Sequence, residues 1–249
     1  MEKYRQILFP AFILLSLMIL TGCGGSAEEA SQEIVSVSTS TSGPEADVDA
    51  TESEDQVDFE EVIPDVLVYW DDFSDPNSGW DRASDEAGTT DYTEGGYHIQ
   101  INQPNMLLWA NPGLVYEDSI VEVDAALVSG SEDNNFGLIC RYQNAENFYA
   151  FVIGSDGDFA IRKRYQGSVL EIISGEDFGY SSEILSGDNT NHLVAECIGE
   201  NLSLYVNDTL LVQVEDADLK RGDVGVIVGS FSNVPIEVLF SEFEVFSTE

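Results

Sequence analysis

The sequence predicts an all-β domain over residues 66–249, a sandwich or barrel of short antiparallel strands. Three observations lead there. Apolar and polar residues alternate with period two in run after run; turn-forming Gly, Asn and Asp stand between the runs; and no stretch of the domain sustains a helical period. Ile120-Val-Glu-Val-Asp-Ala-Ala-Leu-Val128, His192-Leu-Val-Ala-Glu-Cys-Ile198, Asn201-Leu-Ser-Leu-Tyr-Val206 and Ile236-Glu-Val-Leu-Phe-Ser-Glu-Phe-Glu-Val-Phe246 are the plainest runs. Asp156-Gly157 divides Phe148–Ile153 from Phe159–Arg164, and Asn207-Asp208 divides two more runs, where tight hairpins need residues that tolerate positive φ. About a dozen such strands with regular turns make a closed or two-layered β architecture.

Ahead of the domain stand an address and a spacer. Lys3 and Arg5 precede an apolar run from Ile7 to Leu20, interrupted by Pro10 and Ser16. A basic n-region with a short apolar core has the form of a secretory signal. An uncleaved membrane anchor is the alternative, but the run falls short of the roughly 20 residues a spanning helix needs. Leu20-Thr21-Gly22-Cys23 resembles the lipobox of bacterial lipoproteins: a large aliphatic residue, two small ones, then the cysteine. The resemblance implies that residues 1–22 are a lipoprotein signal peptide, removed before Cys23, whose thiol takes a diacylglyceryl group and whose amine is acylated. Two or more chains hold stably where one is marginal. The expectation is therefore an exported protein, anchored through Cys23 to the outer face of a bacterial membrane.

Residues 23–65 form the lipidated N-terminus and an acidic tether. From Gly24 to Asp65 there are 13 acidic residues and no Lys or Arg, amid Ser and Thr. Such a segment buries too little apolar surface to offset its ordering entropy and is expected to be a disordered linker. As a coil of about 42 residues it spans roughly 35–40 Å, more with like-charge repulsion. The domain continues the acid excess, with seven basic against 33 acidic residues, a formal charge of −26. That charge argues against nucleic acid and against anionic lipid surfaces, which both require basic patches. It is compatible with hard cations, with high solubility or with life at high salt.

A further set of residues carries a resemblance: Asp71-Asp72-Phe73 with Trp80, Tyr97-His-Ile-Gln-Ile101, Gly137-Leu-Ile-Cys-Arg-Tyr142 followed by Asn147-Phe-Tyr149, Leu202-Ser-Leu-Tyr-Val-Asn207, Gly222-Asp-Val-Gly225, and the closing strand around Phe240–Phe246. Across nearly all of residues 66–247 the chain resembles the concanavalin A-like lectin/glucanase superfamily. Within it, the chain resembles the laminin G-like and keto-disaccharide-hydrolase-like domains of bacterial surface proteins. The resemblance implies a two-sheet antiparallel jelly-roll sandwich and a domain that binds extracellular carbohydrate. Most of these side chains are core or turn residues, so they specify fold more than activity.

With Cys23 consumed by lipid, Cys140 and Cys197 remain, both inside strand-like runs. In an exported chain an even pair most simply forms a disulfide, which would stabilise the fold by roughly 4 kcal/mol in the chain-entropy model. Two buried free thiols are the alternative.

Catalytic patterns are incomplete. Hydrolases of the resembled superfamily carry Glu-x-Asp-x-(x)-Glu on one strand, and Glu122-Val123-Asp124 opens it. Ala126 and Leu127 stand where the acid belongs, and alternation explains Glu122 and Asp124 as the solvated face of a strand that turns Val121, Val123 and Ala125 inward. There is no Gly-x-Ser-x-Gly elbow, phosphate loop or His-rich metal motif, so no catalytic residue is assigned. Binding without catalysis is the leading reading. A glycoside hydrolase using loop residues and an adhesive protein that binds another protein are the alternatives. Arg221-Gly222-Asp223 spells an adhesion tripeptide but also suits a polar turn ahead of Val224–Val228.

Two site expectations remain. Relatives in the superfamily hold a structural Ca²⁺ at the sandwich rim; Asp71, Asp72 and Asp75 offer the right ligand type, with Asp156 and Asp158 as a second option, toward the six to eight oxygens calcium takes. For a glycan, the expected surface comprises Arg141, Tyr149, Arg164 and Trp109, drawn from aromatics (Trp80, Tyr142 and Tyr165 also) interleaved with Arg141, Arg162 and Arg164. Strict alternation puts Arg141 on one face with Ile139, and Leu138, Cys140 and Tyr142 on the other. An Arg there serves either a ligand or an ion pair with a cross-strand acid such as Glu196.

Overall fold

The structure, a computed structural model, describes residues 66–247; the signal segment, Cys23 and the tether lie outside the described residues. Seventeen strands and no helix follow one another there. They are β1 (Val66–Asp71), β2 (Ala83–Ser84), β3 (Gly88–Thr93), β4 (Gly96–Ile101), β5 (Leu107–Ala110), β6 (Val115–Tyr116), β7 (Ser119–Ser129), β8 (Asn134–Asn144) and β9 (Asn147–Ile153). Then come β10 (Asp158–Arg164), β11 (Glu171–Ile172), β12 (Gly179–Tyr180), β13 (Asn191–Ile198), β14 (Asn201–Val206), β15 (Thr209–Glu215), β16 (Gly222–Ser230) and β17 (Ile236–Ser247).

They form two antiparallel sheets. The first has nine strands in the order β15-β14-β13-β7-β17-β4-β3-β2, with β1 also on β17. The second has eight, β11-β10-β9-β8-β16-β5, with β12 on β10 and β6 on β16. The expected two-sheet antiparallel sandwich is therefore what the chain forms. Alternation behaves as expected in β7, where Val121, Val123 and Ala125 are sealed in the inter-sheet core with Phe136, Phe151, Leu204 and Phe240. Glu122 and Asp124 point outward, on either side of His192 from β13: Nδ1 lies 2.9 Å from Asp124 and Nε2 3.5 Å from Glu122. The incomplete glucanase pattern is thus the solvated face of the first sheet.

The second sheet is apolar on both faces. Leu107, Trp109, Ile139, Phe148, Ala150 and Ile227 form a separate cluster on its outer side. The chain between β10 and β13 folds back across this cluster, pairing Ile172 with Arg162 and Tyr180 with Asp158. That strap lays Leu170, Ile172 and Phe178 on the sheet. A strand covered on both sides loses its polar alternates, which is why β9 reads Asn-Phe-Tyr-Ala-Phe-Val-Ile.

Cys140 and Cys197 form the expected disulfide, which ties β8 of one sheet to β13 of the other with the Cα atoms 6.8 Å apart.

Alternation fails at one place. Between the pairs Asp223–Tyr142 and Gly225–Ile139, β16 contributes one residue and β8 two, and Arg141 has φ +51°. An extra residue of this kind is a β-bulge, and it reverses the facing of the residues beyond it. Arg141, expected on one face with Ile139, whose side chain lies in the outer cluster, instead turns inward and is 2% exposed. Its Nε donates to the Glu117 carbonyl (3.1 Å) and Nη1 to the Leu219 carbonyl (3.0 Å). Nη2 donates to the Cys197 carbonyl and the Asp118 carboxylate, both at 3.2 Å. Arg141 is a buried tie between the sheets, not part of an open glycan surface, and its acidic partner is Asp118 rather than Glu196. The same bulge carries Tyr142 to the outer face, where it packs on Trp109 and Phe148.

Candidate functional site

β5 runs along the edge of the second sheet and turns Trp109 to its outer side; the chain leaves it through Asn111-Pro112-Gly113, with Gly113 at φ +87°. β16 lies next, and its Gly225 leaves room for Asn111, since a Cβ there would stand 2.5 Å from the Asn111 amide nitrogen. Asp81 arrives from the loop after β1: its N–H donates to the Asn111 carbonyl at 3.2 Å, and its own carbonyl accepts the Tyr97 hydroxyl. Tyr142, brought round by the bulge, pairs with Asp223 across β8 and β16. Together Gly79, Asp81, Trp109, Asn111, Gly113, Tyr142 and Asp223 enclose a cavity of about 120 Å³.

Its chemistry is dominated by acceptors beside aromatic walls. Asn111 is 5% exposed; its Nδ2 donates to the Val224 carbonyl at 2.6 Å, while its Oδ1 is buried with no hydrogen-bond partner. A buried acceptor left unmet costs about 1–3 kcal/mol, so a ligand that donates to it regains that energy. Asp223 accepts the N–H groups of Leu114 (2.7 Å) and Val224 (2.9 Å) on Oδ1, and of Gly113 (3.0 Å) on Oδ2. Burial pushes its carboxyl up to about 6 against those three bonds, and the nearby Asp81 carboxylate adds to the rise. The cavity lies below the roughly 300–1,000 Å³ of pockets that enclose a whole small molecule. It fits one ring or end group of a larger ligand, with the rings of Trp109 and Tyr142 against an apolar face and Asn111, Asp81 and Asp223 toward hydroxyls.

Of the four residues expected to bind glycan, only Trp109 lines this cavity. Tyr149 faces the inter-sheet core, donating its hydroxyl to Asp216 (2.6 Å) and accepting the Leu219 N–H (3.0 Å). Arg164 does lie on the outer face, opposite Phe148, but β10 is four strand spacings from β5, roughly 19 Å. The expected set therefore does not share one surface.

The expected calcium ligands are not assembled either. Asp71 is buried and accepts from the Phe73 N–H (2.7 Å), the Trp80 indole (3.0 Å) and the Tyr69 hydroxyl (3.0 Å). Asp72 and Asp75 each cap a turn, at the N–H of Ser74 and of Asn77, and Asp156 does the same for Asp158. Among the described residues no group of three or more His, Cys, Asp or Glu side chains is placed to hold a metal ion. In Arg221-Gly222-Asp223, Arg221 reaches toward Glu117 at 4.0 Å and Asp223 turns into the cavity.

Sequence reasoning missed Asp81, Asn111 and Asp223 as a set. The only local trace was an Asn-Pro-Gly turn directly after an apolar strand carrying Trp109.

Among solved structures, the fold is similar to the carbohydrate-binding module CBM66 from Bacillus subtilis, with TM-score 0.55 and 19% identity over 68% of this chain and 96% of that one. A protein of unknown function with a galectin-like fold, also from Bacillus subtilis, matches with TM-score 0.56 and 11% identity over 72% and 95%. Bacillus licheniformis β-glucanase matches with TM-score 0.52 and 11% identity over 72% and 97%. At these identities the likeness is one of fold. No family model and no curated protein matches the sequence.

Proposed function

We propose that this concanavalin A-like jelly-roll domain binds carbohydrate, seating one sugar unit between Trp109, Tyr142, Asp81, Asn111 and Asp223. The observation that carries the reading is the unpartnered Asn111 oxygen, buried at the wall of a cavity otherwise lined by two carboxylates and two aromatic rings. Sugars present the matching chemistry: C–H faces for the rings and hydroxyl donors for the oxygens. The fold it shares with a carbohydrate-binding module and with glucanases supports the same reading.

The test is a glycan array probed with the whole chain, followed by titration of the best oligosaccharide. Tyr142→Ser should weaken that binding at least about tenfold, with the strand signature in circular dichroism kept. Retention of no oligosaccharide, or unchanged affinity in the variant, overturns the proposal.

A hydrolytic reading has one observation in its favour, the Asp223 carboxyl held up to about 6, since a carboxyl raised toward neutral pH can serve as a general acid. Three main-chain N–H groups already occupy Asp223, which favours binding without cleavage. Release of reducing ends from the bound oligosaccharide would decide for the enzyme.

We infer from the sequence alone that the domain is displayed on the outer face of a bacterial membrane, through lipid on Cys23. A fatty-acid probe should label the chain in cells and fail to label Cys23→Ser; label on the variant overturns the anchor.

A further inference from the structure

We propose that the sugar held in this cavity carries a free primary ammonium group, as a glucosamine unit of a de-N-acetylated glycan does; the inference rests on the carbohydrate reading above. Donors and acceptors in the cavity can be counted. Asn111 Oδ1 is an acceptor with no partner, and the amide nitrogen beside it spends one of its two N–H donors on the Val224 carbonyl. Asp223 has about four lone-pair sites, of which main-chain N–H groups fill three. Asp81 brings a second carboxylate to the same small space, and among the described residues no Lys, Arg or His lines it.

A hydroxyl offers one donor together with an acceptor that would face other acceptors. An ammonium offers three donors and no acceptor. Its charge is attracted to both carboxylates and to the faces of Trp109 and Tyr142. A uronate or sulfated sugar would instead set an anion against two carboxylates.

The electrostatics agree. The titratable groups facing Asp223 are Asp81 across the cavity, Tyr142 on β8 and Tyr116 on β6. Arg221, two residues away, is turned toward Glu117. Among the described residues nothing positive stands against the carboxyl, and burial pushes it up to about 6. A bound ammonium supplies that charge, so affinity for it should climb as pH rises through about 6, then fall once the amine itself loses its proton.

The experiment is calorimetric titration of the whole chain with the trimers of glucosamine, N-acetylglucosamine and glucose, at about pH 5 and about pH 7. At the higher pH the glucosamine trimer should bind at least about tenfold tighter than either other trimer. The gap should narrow at the lower pH and in Asp81→Asn. Equal or tighter binding of the glucose or N-acetylglucosamine trimer overturns this proposal and leaves the carbohydrate reading standing. Silence from all three trimers and from the glycan array removes both. A preference for glucosamine that survives Asp81→Asn unchanged places the ammonium elsewhere and overturns the assignment to this cavity.

Discussion

Arg141 holds three main-chain carbonyls and one carboxylate from three separate stretches of chain, at Glu117 and Asp118, at Cys197 and at Leu219. A guanidinium can do this because its donors lie in one rigid plane, whereas an ammonium on a flexible stem cannot reach all four at once. Arg141→Met should therefore lower unfolding stability by on the order of 3 kcal/mol, the cost of leaving several buried acceptors unmet, and Arg141→Lys should recover only part of it. Urea denaturation of the three proteins measures both effects. Asp223 makes a different prediction. Its folded carboxyl is raised above its unfolded value to about 6, so the folded state holds a proton that the unfolded chain releases. The resulting stabilisation is fully present below the unfolded value near 4 and is lost as pH rises through about 6. Subtracting the stability–pH curve of Asp223→Asn from that of the natural sequence should leave a component that falls across that window and is flat above it.

At the scale of strands, two devices keep the second sheet in place. The disulfide joins β8 to β13 across the core, and replacing both cysteines with Ala should cost about 2–5 kcal/mol in the same urea experiment. The strap between β10 and β13 is the other device. Its Leu170 carbonyl accepts Arg162 Nη2 at 2.9 Å, and its Phe178 ring lies 5.6 Å from the Arg162 guanidinium. Burial alone brings Arg162 down to about 10, so the strap shields a charge as well as an apolar cluster. Phe178→Ala should loosen this cover without unfolding the sandwich. Hydrogen exchange should then accelerate at the amides of β9, β10 and β11 while those of β7 and β17 stay protected; uniform acceleration would mean that the strap is not a separate unit.

At the scale of the whole molecule, the formal charge of the domain governs behaviour in salt. With seven basic and 33 acidic residues over 66–249, self-repulsion acts against the compact state and is screened as the Debye length shrinks. The melting temperature should rise by about 5 °C between low salt and about 1 M sodium chloride, as followed by circular dichroism. A flat or falling response would show that local pairs such as Arg82–Asp91 and Lys163–Asp218 outweigh the net charge.

The all-β class, the Asp156-Gly157 hairpin, the Cys140–Cys197 pairing and the outward facing of Glu122 and Asp124 were all legible in the amino-acid order. Each depends on neighbours along the chain or on a count of one residue type. Alternation is a local property, and it holds wherever one strand face is buried and the other wet. Tertiary structure decided the rest. The bulge that buries Arg141 and brings Tyr142 outward exists only because β16 supplies one residue against two of β8, a register that neither strand records by itself. The strap hides a second apolar face that period-two reasoning assigns to solvent. Asp81, Asn111 and Asp223 stand in three distant segments, each in a turn or strand-end sequence of ordinary appearance. What sets them apart is a cavity they share and an amide oxygen left without a donor, and burial of that kind arises only when the two sheets and their edges close.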